Sequence, residues 1–185
     1  LFIEAEDFDF DGGQFVQDRA IGMTGAYSGG AYAGRGAVAE VDYHDPDANE
    51  SPIYRASTQG VATAADTAYS RGGFEVPVNY VIGWNNVGDW YNYTRRFPEP
   101  AQAYHAYAQL SSGGADIAAQ LDEITAGTFT ANQTTAKLGE FRAHTTSNWG
   151  AYHLVPLLDD GGGMAAVTLG GIKTLRFTVL PGDLN

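Results

Sequence analysis

Tyr80-Val81-Ile82-Gly83-Trp84-Asn85-Asn86-Val87-Gly88-Asp89-Trp90-Tyr91-Asn92-Tyr93-Thr94 is the stretch that decides the fold class. It opens on three strand formers, breaks at Gly83 into a polar loop around Trp84, and resumes at Trp90. From Trp90 to Thr94 large and polar residues alternate, as in a half-buried antiparallel strand. Outward from there, Ala103 to Leu110 sets Ala103, His105, Tyr107 and Gln109 on one face of an expected strand, and Tyr104, Ala106, Ala108 and Leu110 on the other. Leu1 to Ala5, Ile117 to Leu121, Phe129, Tyr152 to Leu158 and Thr174 to Leu180 are further strand candidates. Gly113-Gly114 and Asp159-Asp160-Gly161-Gly162-Gly163 mark turns between them. Only Ile117 to Ile124 admits a short helical reading, and its flanking glycines argue against it. Many short strands at even spacing predict an all-β protein, an antiparallel β-sandwich with the jelly roll as its subtype.

Composition agrees with this. The 185 residues are 44% hydrophobic and carry 11 Tyr, 9 Phe, 3 Trp and 24 Gly, enough for one domain with a sizeable core and many turns. Residues 1–185 are therefore read as a single domain, with a long loop-rich insertion at about 12–72 where Gly, Ala, Ser, Asp and Tyr replace strand formers. Twenty-two acidic residues against 10 basic give a formal net charge of -12. A chain so acidic repels nucleic-acid phosphates and anionic lipid surfaces, so neither is an expected partner. Cysteine is absent, which excludes disulfides and thiolate chemistry. The opening Leu1-Phe2-Ile3-Glu4 reads as a mature or excised start.

Two groups of residues carry chemistry. In a strand, Glu4 and Glu6 share a face, so their carboxylates can converge on a hard cation; an exposed acidic strand end is the competing reading. Trp84 beside Asn85-Asn86, and Trp149 beside Asn148, pair an apolar ring with hydrogen-bonding amides. That combination suits the flat C–H faces and rim hydroxyls of a sugar, against the alternative that each Trp plugs the core. Trp90, inside a strand pattern, is read as structural. His44, His105, His144 and His153 lack zinc-binding spacing. No serine-nucleophile elbow or phosphate loop is present, so the chain is not read as an enzyme.

Taken together these residues resemble the family 6 carbohydrate-binding modules, with family 35 close behind. Ile3-Glu4-Ala5-Glu6-Asp7-Phe8 looks like the family's opening I-E-A-E-D-Y/F, and Gly83 to Tyr93 looks like its G-Y-x-x-x-G-D-W-x-x-Y. Leu175 to Val179 followed by Gly182-Asp183-Leu184-Asn185 resembles the penultimate strand and the start of N-L-D/N-W-I. Val41 to Asn49, with Tyr54-Arg55 and Gln59-Gly60-Val61, resembles a pattern of modules attached to agarases and other polysaccharide-degrading enzymes. The resemblance implies a jelly roll with a structural calcium ion held at Glu4, Glu6 and Asn185. It implies a sugar site at Trp84, Trp149, Asp183, Asn85, His44 and Asp45, where two aromatic rings clamp the sugar. Asp183 stands where the family offers Asn, replacing a donor-acceptor amide by an acceptor-only carboxylate. The family continues beyond Asn185 into a last strand, so either the chain is cut there or another segment supplies that strand; a missing strand would leave an open sheet edge. The implied role is secreted, extracellular and non-catalytic: binding of a polysaccharide or oligosaccharide, a neutral galactan or β-glucan, to target an attached catalytic domain. The alternative is a structural subunit of an extracellular assembly or adhesin, whose partners would be neighbouring subunits.

Overall fold

The computed structural model describes residues 1–17, 30–47, 53–55, 60–66, 69–71, 74–76, 79–180 and 184. Eleven strands run through them: β1 (Tyr43–His44), β2 (Ala62–Asp66), β3 (Tyr69–Arg71), β4 (Phe74–Val76), β5 (Asn79–Gly83), β6 (Trp90–Tyr104), β7 (Tyr107–Leu110), β8 (Ile117–Ala126), β9 (Thr134–Ala143), β10 (His153–Leu158) and β11 (Val167–Val179). Seven form one sheet in the order β1-β6-β11-β8-β9-β10-β7, while β2-β5 and β3-β4 are two-stranded ribbons. All these pairings are antiparallel. The expected all-β antiparallel sandwich is what forms.

The large sheet curls because β10 serves two partners. Leu157 and Leu158 pair with β9, whereas His153 to Pro156 pair with β7. Only residues 105 and 106 separate β6 from β7, so the far edge of the sheet is carried back to where β6 ends. Its halves then face each other across Phe97, Leu110, Leu121, Phe141, Leu157 and Leu175. Each such side chain contributes about 1.5–3 kcal/mol when fully buried. A second core forms where Tyr91 and Tyr93 of β6 meet Phe8, Tyr43, Val61 and Ile82. The alternation in β6 therefore decides the packing: Tyr91 and Tyr93 point inward, while Asn92 and Thr94 lie on the other face.

Three local expectations are corrected. Leu1 to Ala5 belongs to no strand, because side chains rather than a ladder satisfy the carbonyls nearby. Arg55 donates to the carbonyls of Glu6, Phe8 and Asp9, and the Tyr93 hydroxyl donates to that of Ala5. Ala103 to Leu110 is broken at 105–106, where the chain passes from β6 to β7. Phe129 lies in the β8–β9 turn, where its ring rests over Gly13: a Cβ on Gly13 would come within 2.5 Å of Phe129 Cδ1. Ile117 to Leu121 forms the first half of β8, as the strand reading expects. β9 was not anticipated. Described parts of the 12–72 segment reach the core, since Tyr32 and Tyr54 pack with Phe10 and Arg55 is fully buried.

Candidate functional site

Strand register gathers the loops. His44 is paired with Trp90, Trp90 with Thr178, Thr178 with Gln120, and Gln120 with Glu140. The segments beyond these positions therefore emerge at one end of the sheet: 45–47 after β1, 84–89 before β6, 111–116 before β8 and 144–152 after β9. Trp84 and Trp149 lie in two of them. No Lys or Arg occurs in these segments, which carry Asp45, Asp47, Asp89 and Asp116.

Trp84 is 60% exposed and sits at φ 59°, a left-handed conformation costly for a bulky residue. Asn85 then turns inward and is buried. Its Nδ2 donates to the Leu184 carbonyl at 2.6 Å, and its Oδ1 accepts from the Tyr91 hydroxyl at 2.7 Å. The loop is closed by Asp89, whose Oδ2 accepts from the Asn86 amide and whose carbonyl accepts from the Val179 amide at 2.8 Å. Asp45 accepts a second contact from Tyr91 at 3.2 Å. Desolvation, and next the charge of Asp89, push the Asp45 carboxyl up to about 6. His44 is engaged on the sheet face, with Nδ1 2.6 Å from Glu40 Oε1 and its ring parallel to Trp90 at 6.2 Å. Arg176 covers Trp90 at 3.5 Å, in keeping with a structural role for that ring.

Trp149 is 40% exposed, and its loop is docked on the 111–116 turn. Ser111 Oγ donates to the Trp149 carbonyl at 2.9 Å, and the Ser112 amide donates to Thr146 Oγ1 at 3.0 Å. Thr145 Oγ1 and Thr146 Oγ1 both reach the Ser112 carbonyl at 2.9 Å. The sequence marked this segment only as a turn. The signal that it is more is the Ser-Ser pair ahead of Gly113-Gly114, since both serines are fully buried. Asp183 and Asn185 lie outside the described residues.

The chain is similar in structure to family 6 carbohydrate-binding modules. One from Clostridium cellulolyticum, in complex with xylose, is 13% identical with a TM-score of 0.47, over 68% of this chain and 78% of that one. A β-1,3-glucan-binding module from Bacillus halodurans is 16% identical with a TM-score of 0.44, over 68% and 83%. One from Clostridium stercorarium, in complex with cellobiose, is 14% identical with a TM-score of 0.43, over 66% and 79%. No family profile and no curated protein matches the chain.

The carboxylates of the opening segment fit a cation. Glu4 and Glu6 are both buried, and Glu6 Oε2 has no hydrogen-bond partner among the described residues. Desolvation, then the charge of Glu4, raise the Glu6 carboxyl well above its ordinary range. A hard cation would offset both costs. Among the described residues no three acidic or His side chains gather around a metal position, so further oxygens would have to come from backbone carbonyls or from Asn185.

Proposed function

We propose that this chain is a non-catalytic carbohydrate-binding module that holds a neutral polysaccharide against Trp84 and Trp149. The observation that carries the reading is the pair of exposed indoles, 60% and 40%, displayed on loops at one end of the sheet. An exposed Trp at a strained φ serves no packing purpose, and flat apolar rings beside polar loops suit a sugar. The four loop segments, acidic and without Lys or Arg, disfavour uronic acid and sulfated polymers and leave neutral galactans or β-glucans as the ligand class. Asp45, Asn86 and Asp183 supply hydroxyl partners; the buried amide of Asn85 holds the loop. The module is secreted and keeps an attached enzyme near its substrate by raising effective concentration.

Affinity electrophoresis of the purified protein against neutral and anionic polysaccharides tests this. Retardation by a neutral polymer is expected, and Trp84→Ala or Trp149→Ala should each weaken binding roughly tenfold or more with the melting temperature kept. Undiminished binding in both variants would remove the site from these loops. No retardation anywhere, with self-assembly seen by light scattering, would replace the reading by a structural subunit.

Calcium belongs to the same proposal, held by Glu4, Glu6 and Asn185 with a purely structural role. A ligand bound only by the folded state stabilises it by mass action. Chelation in low-calcium buffer should therefore lower Tm, and re-addition of calcium should restore it. An unchanged Tm would show that the buried pair works without a metal.

A further inference from the structure

We propose that the Ser111–Asp116 turn is the seat of Trp149, and that Gly113 is the positioning residue that lets the indole lie flat on it. A Cβ on Gly113 would stand 2.2 Å from Cε2, 2.3 Å from Nε1 and 2.6 Å from Cζ2 of Trp149. One face of the ring therefore rests on bare backbone, and the part of the residue that remains exposed is the other face. Backbone conformation does not explain the glycine, because neither Gly113 nor Gly114 has a positive φ. Its neighbour shows the contrast: a Cβ on Gly114 would meet nothing within 4 Å. The inference deepens the sugar-site reading and rests on it, because a platform stacks a sugar only if its free face is held in one orientation.

The seat is fastened on both sides of the ring. Ser111 holds the carbonyl of Trp149 itself, and Ser112 holds Thr145 and Thr146 through three hydrogen bonds. Asp116 Oδ1 accepts from the Thr145 amide at 3.1 Å. The Trp149 backbone cannot retreat without breaking these contacts. An added methyl group at Gly113 must therefore be accommodated by the indole, which rotates off the seat and loses the flat presentation. The collision is with side-chain atoms, so the fold tolerates it better than a backbone clash.

Gly113→Ala and Gly114→Ala test this in protein labelled with 5-fluorotryptophan. The chain's three tryptophans give three fluorine resonances, and Trp149→Phe identifies the relevant one. Gly113→Ala should shift that resonance and weaken binding of the retained neutral polysaccharide about tenfold, as Trp149→Ala does, while Gly114→Ala changes neither. An unmoved resonance in Gly113→Ala overturns the seat. A moved resonance with full affinity keeps the seat but overturns the platform role of Trp149, and with it the functional reading. If Gly113→Ala fails to fold, the Gly113→Ala/Trp149→Ala double variant decides. Recovered folding locates the collision in the indole, and continued failure refutes it. Should the wild-type protein retain no glycan, the resonance and double-variant results still judge the seat alone.

Discussion

Trp84 combines two properties that rarely coincide, a large exposed ring and a left-handed backbone at φ 59°. A non-glycine residue in that region costs about 1–2 kcal/mol relative to glycine. Trp84→Ala removes the ring and leaves the backbone cost, whereas Trp84→Gly removes both. Both variants should lose glycan binding, and the glycine variant should melt a few degrees higher than the alanine one, about 1 kcal/mol being worth roughly 2–4 °C in a chain of this size. Equal melting temperatures would mean that the backbone at 84 relaxes in solution. The loop setting of Trp84 and Trp149 was legible in the sequence, because both sit among Asn and Gly rather than in an alternating strand; their exposure was not, since a ring in such a loop can also fold back into the core. The direction of Asn85 was not legible. Trp-Asn-Asn does not tell which amide faces in, and the turn at Trp84, which buries Asn85 and exposes Asn86, depends on Tyr91 and Leu184 being in place to receive it.

The opening segment shows how an element can be replaced by side chains. Leu1 to Ala5 has strand composition, yet the carbonyls of Glu6, Phe8 and Asp9 are held by one fully buried guanidinium, Arg55. That group also lies over the Phe8 ring at 4.0 Å, and burial lowers its pKa. Arg55→Met keeps the volume and strands three buried acceptors, at about 1–3 kcal/mol for each one left unsatisfied. The expected result is a loss of at least about 3 kcal/mol in denaturant unfolding, with the release of the segment seen as faster amide exchange at residues 5–9. A loss below about 1 kcal/mol would mean that water replaces the guanidinium at little cost. No sequence pattern announces an arginine that binds backbone 46–49 residues away. The strands that did read correctly, β5, β8, β10 and β11, carry aliphatic runs buried on the core side. β9 escaped because Thr134-Thr135-Ala136-Lys137-Leu138-Gly139 is mostly exposed and its register with β8 shifts twice, which blurs the two-residue period.

Over the whole molecule, a net charge of -12 is held partly in carboxyl groups that the fold would rather keep protonated. Asp9 is almost fully buried, and desolvation pushes its carboxyl up to about 7, although Thr94 donates to both oxygens and Arg95 Nη1 lies 3.9 Å away. Asp45 rises to about 6 by desolvation and the nearby Asp89. Both have an ordinary value of 3.8, so between about pH 4 and 7 the folded chain holds protons that the unfolded chain has released. The stability these groups provide is therefore complete below pH 4 and is lost as pH rises through 6 and then 7. Glu140 runs the other way: Lys137 lowers its pKa, so its contribution fades in strong acid. Asp9 and Asp45 should therefore place the melting maximum well on the acid side of neutrality, near pH 4, with a decline of about 1–3 kcal/mol by pH 8. Melting curves from pH 4 to 8 at constant ionic strength, with chelator present to exclude cation effects, measure this. Asp9→Asn cannot ionise and should remove the Asp9 share of the decline, which runs up to about pH 7, while leaving the Asp45 share, which ends near pH 6. A Tm that stays level or climbs from pH 5 to 8 would show that Asp9 and Asp45 are ionised in the native protein at little cost, and that Arg95, Thr94 and Tyr91 compensate their burial in full.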